Sequence, residues 1–334
     1  MKQILFPLLA VAVMASCTQS EISDSRPDGE VAIELCSSAL SLDISTRSPF
    51  EGDISGTNKL SARVLASTTQ GDYSSADIIN GVLEFSDSKT PVAFSPTKYY
   101  PFNDRMYFCG LYPSTAWTSI GTTASFTFDG KDDVMAAAEV NSTKSEAQAA
   151  TPVLAFRHLL TLLTVKVKAS DADAATAWGN LKEITLAKVG NGAPFTTVAV
   201  DLATGSAAAD ASPAVFTGED ANFGFYTTGS DTKFANQNQA LTTASVETAY
   251  TIAAPVIADK DFNEFTLSVK MEKGGTETVI EVPVNLKGKG VSSDYTGTTQ
   301  GKKFTISLTF GQEDINAKAS VEVWSDAGQS DVEI

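Results

Sequence analysis

Histidine is almost missing from this chain: His158 is the only one in 334 residues. A Ser-His-Asp or Cys-His catalytic arrangement would have to use it. It stands in Phe156-Arg157-His158-Leu159-Leu160, among apolar neighbours, which favours a buried structural role. No HExxH, no paired CxxC and no glycine-rich phosphate loop is present. The expectation is therefore a protein that is not an enzyme, with no catalytic residues, no metal site and no cofactor. Cysteine is scarce too, at three. Setting Cys17 aside, one pair does not make a disulfide framework. Cys36 and Cys109 each sit in an apolar, strand-like run and read as buried, unbridged small hydrophobes. Basic residues are outnumbered, 24 Lys and Arg against 40 Asp and Glu, for a formal charge of −16. Such a surface repels nucleic acid and anionic lipid, so nucleic acid is excluded as a partner. No apolar run reaches the roughly 20 residues that a membrane-spanning helix needs. Long helical stripes are missing, and so are repeats with periods of roughly 20–50 residues.

What is present begins at the N-terminus. Lys2, the apolar run Ile4–Ala15 and the small residues before Cys17 describe a secretory signal peptide over residues 1–16. Met14-Ala15-Ser16-Cys17 resembles a bacterial lipobox, in which the cut falls before Cys17 and acyl chains such as palmitate are attached there. Each buried CH₂ of such a chain is worth roughly 0.8 kcal/mol of membrane affinity. Residues 17–29, polar and carrying Pro27, read as a tether from the lipid.

Beyond the tether the apolar period is two. Phe304, Ile306, Leu308 and Phe310 alternate with Thr305, Ser307 and Thr309, as do Phe265, Leu267, Val269 and Met271 with Thr266, Ser268 and Lys270. Val31, Ile33 and Leu35 alternate, and so do Leu40, Leu42 and Ile44. Gly190-Asn191-Gly192, Lys273-Gly274-Gly275 and Gly288-Lys289-Gly290 are turn or hairpin signals between such runs. Antiparallel β-sandwiches follow, with one short helix within residues 169–179. The chain exceeds what one core usually serves, so two domains are expected. The polar stretch 141–150 marks the connection, giving a sandwich over 30–150 and another over 151–334. Asp129-Gly130-Lys131-Asp132-Asp133 lacks the spacing of a calcium loop and reads as a solvated turn. Trp117, in Ser114-Thr115-Ala116-Trp117-Thr118, is the best candidate for an exposed sugar-stacking platform.

Several fragments in order carry a family likeness. They are Cys17, Ser45-Thr46-Arg47, Tyr99-Tyr100-Pro101, Met106-Tyr107-Phe108-Cys109-Gly110-Leu111-Tyr112-Pro113 and Asp132-Asp133-Val134-Met135. Further on come Leu154-Ala155-Phe156-Arg157-His158, Gly301-Lys302-Lys303-Phe304 and Ala319-Ser320-Val321-Glu322-Val323-Trp324. Together the chain resembles the fimbrillins of Bacteroidales, lipoprotein-derived subunits of major and minor fimbriae. The resemblance implies an all-β protein of two tandem transthyretin-like antiparallel β-sandwich domains, exported to the outer membrane and the cell surface. It also implies polymerisation into a fimbria by strand exchange, in support of adhesion or biofilm.

In that scheme an arginine-specific protease cuts after the first strand, over residues 30–47. The strand leaves with the lipid, and an extended strand of another subunit fills the groove. Arg47 fits the cut, with Ser48 as the new N-terminus, because it follows the alternating segment and Pro49 is not adjacent to the bond. Arg26 precedes the first strand and Arg63 lies within a strand-like run, so both fit less well. Val31, Ile33, Leu35, Leu40, Leu42 and Ile44 are then the removable plugs. Ala319, Val321 and Val323, within 317–334, form the candidate donor strand. The expected partners are copies of this chain or related pilins, the protease, outer-membrane lipid through Cys17, and an unidentified surface ligand. The alternative is a monomeric surface glycan-binding lipoprotein.

Overall fold

The structure is a computed structural model that describes residues 29–39, 54, 59–205, 216–221, 223–258, 264–286, 297–312 and 314–323. Its first eight strands are β1 (Glu34–Ala39), β2 (Leu60–Ser67), β3 (Ile79–Phe85), β4 (Val92–Ala93), β5 (Met106–Tyr112), β6 (Thr123–Thr127), β7 (Met135–Ser142) and β8 (Val153–His158). All but β6 form one sheet, in the order β3-β2-β5-β7-β8-β1-β4. Both faces of this sheet are covered, which is why its central strands are apolar runs rather than simple alternations. Along β2, Leu60, Ala62, Val64 and Ala66 enter one core, and Leu65 enters another. Along β5, Met106 and Phe108 go to the first core, Cys109 and Leu111 to the second.

The next seven strands are β9 (Thr161–Ala169), β10 (Asn180–Val189), β11 (Phe195–Asp201), β12 (Phe216–Glu219), β13 (Phe223–Gly224), β14 (Tyr226–Thr227) and β15 (Gln239–Ala240). The last are β16 (Val246–Ala253), β17 (Ile257–Ala258), β18 (Phe265–Lys273), β19 (Thr276–Val284), β20 (Gly297–Thr298), β21 (Lys302–Phe310) and β22 (Ile315–Val323). They form the sheets β13-β10-β18-β19, β14-β16-β9-β21-β22 and β12-β11-β6, with β17 and β20 as a separate pair. Pairing is antiparallel except for β1 with β8 and β9 with β21. The β18–β19 hairpin turns at Gly274 and Gly275, with φ of 61° and 84°. Positive φ at both central residues is what a type I′ turn demands and glycine supplies. The all-β expectation holds. The helix expected within 169–179 is α2 (Ala172–Trp178), started by Asp171, whose carboxylate accepts from the Ala174 N–H at 2.7 Å. The Gly190–Gly192 turn is present, but β10 and β11 on either side of it lie in different sheets.

Three local expectations change. Residues 141–150 do not link two sheets: they hold the end of β7 and the helix α1 (Lys144–Ala149), between two neighbouring strands of one sheet. Thr143 and Glu146 form a reciprocal capping box there, so the polar composition encoded a helix start. The chain passes from the seven-stranded sheet to that of β9 at Leu159–Leu160, both fully buried. β6 pairs with β11 across this division, and one core joins Trp117, Phe126 and Phe128 to Leu160, Val198 and Phe223. Residues 129–133 are not a solvated turn either. The Gly130 carbonyl accepts from the Ile252 N–H at 2.7 Å, and Asp133 is buried. Burial also pushes the Asp132 carboxyl up, with Asp129 adding to the shift. Finally, Trp117 is buried rather than a platform. Its ring packs on Phe126 at 5.2 Å between centroids, and its indole N–H donates to the Pro113 carbonyl at 2.7 Å.

Candidate functional site

The first strand completes a core built by residues far from it in sequence. Ile33 and Leu35 are fully buried, beside Phe85, Phe94, Phe108, Leu154 and Phe156, and Val31 packs partly buried against the same cluster. β1 changes partner along its length. Residues 31–35 bond to the segment 92–100. There the Ile33 N–H donates to the Lys98 carbonyl at 2.8 Å and Tyr100 N–H to the Val31 carbonyl at 3.0 Å. Glu34 and Leu35 then pair with Ala93 and Val92. From Cys36 onward the partner is β8, in parallel register: Cys36 with Val153, Ser37 with Leu154, Ser38 with Ala155, Ala39 with Phe156. Without β1, the edge of β8 and the edge of 92–100 would both present unpaired N–H and C=O groups above an apolar trench.

The wall along 92–100 escaped sequence reading. A two-residue strand such as β4 is too short for periodicity to register. Its anchors are Phe94, whose ring lies against Gly81 of β3, and Tyr100, packed edge-on to Phe108 at 6.0 Å. Burial pushes the Tyr100 phenol up to about 12. On the β8 side Phe156 closes over Gly110 so tightly that a Cβ there would collide with its ring.

The other predicted residues are distributed as follows. Cys17, Leu40, Leu42, Ile44, Arg47 and Ser48 lie outside the described residues, as do the signal peptide, most of the tether and residues 324–334. Strand β1 ends at Ala39, and Ile54 is buried in the same cluster as Ile33 and Leu35. Arg47 falls near the middle of the interval from Ala39 to Ile54 in sequence. Ala319, Val321 and Val323 lie on β22, opposite Ile306, Phe304 and Lys302 of β21. Among the described residues β22 is the outer strand of its sheet and pairs with β21 alone. The structure therefore does not bring the candidate donor strand into the groove of its own chain.

His158 is buried where the chain crosses between sheets, with Nδ1 3.0 Å from the Asp133 carboxylate. Beside it the Leu159 N–H donates to the Val134 carbonyl at 2.9 Å and Gly301 N–H to the Leu160 carbonyl at 2.9 Å. This pair is a joint between strands. Cys36 and Cys109 are both buried, and the two are not bridged by a disulfide. Burial pushes the Cys109 thiol well up, away from the thiolate that reactivity requires.

A family model described as fimbrillin-like matches residues 46–324, so it takes in β2 to β22 and leaves out β1. Among solved structures, a protein of Bacteroides uniformis assigned to cell adhesion is 17% identical, with a TM-score of 0.56, over 89% of this chain and 100% of its own. A second one assigned to cell adhesion, from Bacteroides ovatus, is 13% identical with a TM-score of 0.51, over 90% of this chain and 99% of its own. At these identities the likeness is one of fold. No curated protein matches the chain.

Proposed function

Because the chain belongs to the fimbrillin-like family, we propose that it is a structural subunit of a surface fimbria, assembled by strand exchange. Family membership supports a fimbrial or adhesin-type role at the cell surface. In the finer reading, the chain is exported as a lipoprotein acylated at Cys17 and held in the outer membrane. An arginine-specific protease cuts between Arg47 and Ser48, β1 departs with the lipid, and another subunit refills the groove. The observation that carries this reading is the position of β1. It plugs a core otherwise made by β2, β3, β5, β7, β8, Ile54 and the 92–100 segment, and the covalent link forward runs through 40–53, which contains Arg47.

The energetics suit β-augmentation. A new strand restores about half a dozen ladder bonds, each netting about 0.5–1.5 kcal/mol, and re-buries the aromatic floor. β22 supports the donor half of the scheme because an outer strand can leave while β21 stays paired to β9. N-terminal sequencing of subunits from sheared surface filaments tests the proposal. A start at Ser48 is the expected result; lipidated Cys17 at the start of every filament subunit would overturn it.

A further inference from the structure

The inward positions of β1 are not equally well filled. Ile33, just ahead of β1, and Leu35 within it are large, but the next inward residue is Ser37. The parallel register sets Ser37 beside Leu154 and Ala39 beside Phe156. Both partners belong to the apolar core, and paired residues of a ladder share a face. Ser37 is fully buried, and its Oγ has no hydrogen-bond partner. A hydroxyl withdrawn from water without a partner lowers stability, whereas alanine at the same place would not. This mismatch lies in the half of β1 that pairs with β8, the half nearer Arg47 in sequence. At its other end lie the well-packed Leu35 and, just ahead of the strand, Ile33.

We infer that the Ser37 position is the selective site of the groove. A strand from a second copy of this chain displaces β1, beginning along β8, by setting a side chain without a hydroxyl beside Leu154. The inference rests on the strand-exchange reading and locates where in the groove that exchange is decided. β22 meets the requirement in its sequence. Ile315, Ala317, Ala319, Val321 and Val323 recur at every second residue, and none carries a hydroxyl. Any register that turns these residues inward removes the unpaired group.

The test uses the full chain cut after Arg47 by an arginine-specific protease. Two labelled peptides spanning residues 29–41, one wild type and one carrying Ser37→Ala, compete for the cut protein. The alanine peptide is expected to bind about tenfold more tightly, the scale of one unpaired buried hydroxyl. In the whole chain, Ser37→Ala should slow loss of the cut strand by a similar factor and leave the rate of cutting unchanged. Equal binding of the two peptides would overturn the inference and leave strand exchange standing. If neither peptide binds and the cut protein keeps its own strand, strand exchange fails and takes this inference with it.

Discussion

Leu35→Ala should weaken the intact chain and leave the assembled filament untouched. Leu35 is fully buried against residues anchored in ladders, which close poorly around a lost side chain. A buried leucine-to-alanine change costs about 2–5 kcal/mol, and poor closure places this site at about 3–4 kcal/mol. For a protein of this size that lowers Tm by about 5–10 °C. Calorimetry of the uncut chain reads the first half of the prediction. The second half is read by the temperature at which purified filaments dissociate in detergent, which should match wild type if, as proposed, β1 has left the assembled subunit. Leu154→Ala is the control: Leu154 lies in the groove wall on β8, so its loss should weaken uncut chain and filament alike. If Leu35→Ala lowers the filament's dissociation temperature as much as Leu154→Ala does, β1 is a permanent part of the subunit and the reasoning fails.

Three other outcomes follow from the packing. His158→Ala leaves the Asp133 carboxylate buried without its partner and should cost about 3–5 kcal/mol in urea unfolding; a loss below about 1 kcal/mol would show that the pair is idle. Gly110→Ala drives a methyl into the Phe156 ring and should cost about 1–3 kcal/mol, relieved by Phe156→Leu in the same chain. Tyr73, Tyr100, Tyr112 and Tyr226 all have phenols raised above 10, chiefly by burial. A raised folded value favours the neutral form, so the stability it confers is complete below about pH 10 and fades as pH climbs through the folded values. Phenolate absorbance should therefore rise for at most four of the eight tyrosines by pH 11, the rest ionising together with unfolding. Ionisation of all eight near pH 10 in folded protein would contradict the burial.

Strand alternation was legible in the sequence wherever a strand has one wet face. The run Phe304–Phe310 has that pattern, and β21 lies there. The hairpin glycines at 274 and 275 announced their turn because few other residues accept two positive φ values in succession. Reading failed where burial depends on what comes from elsewhere. Trp117 looked exposed because its neighbours are polar and small, yet Phe126 and the Pro113 carbonyl close over it. Asp133 looked solvated until His158, 25 residues on, met it from β8. The stretch 141–150 looked like a linker because a capped six-residue helix and a polar connection share a composition.

The sequence by itself determined that this is an all-β chain of the fimbrillin-like family whose opening segment alternates like a strand. Local period and turn chemistry are properties of neighbouring residues, and they survive without a fold. Only tertiary structure decided that this segment plugs a core rather than edging a sheet, that it passes from the 92–100 segment to β8 midway, and that Ser37 lands beside Leu154 with its hydroxyl unpaired. Those facts depend on which distant strands arrive on either side, and pairing between residues more than a hundred positions apart leaves no mark on local pattern.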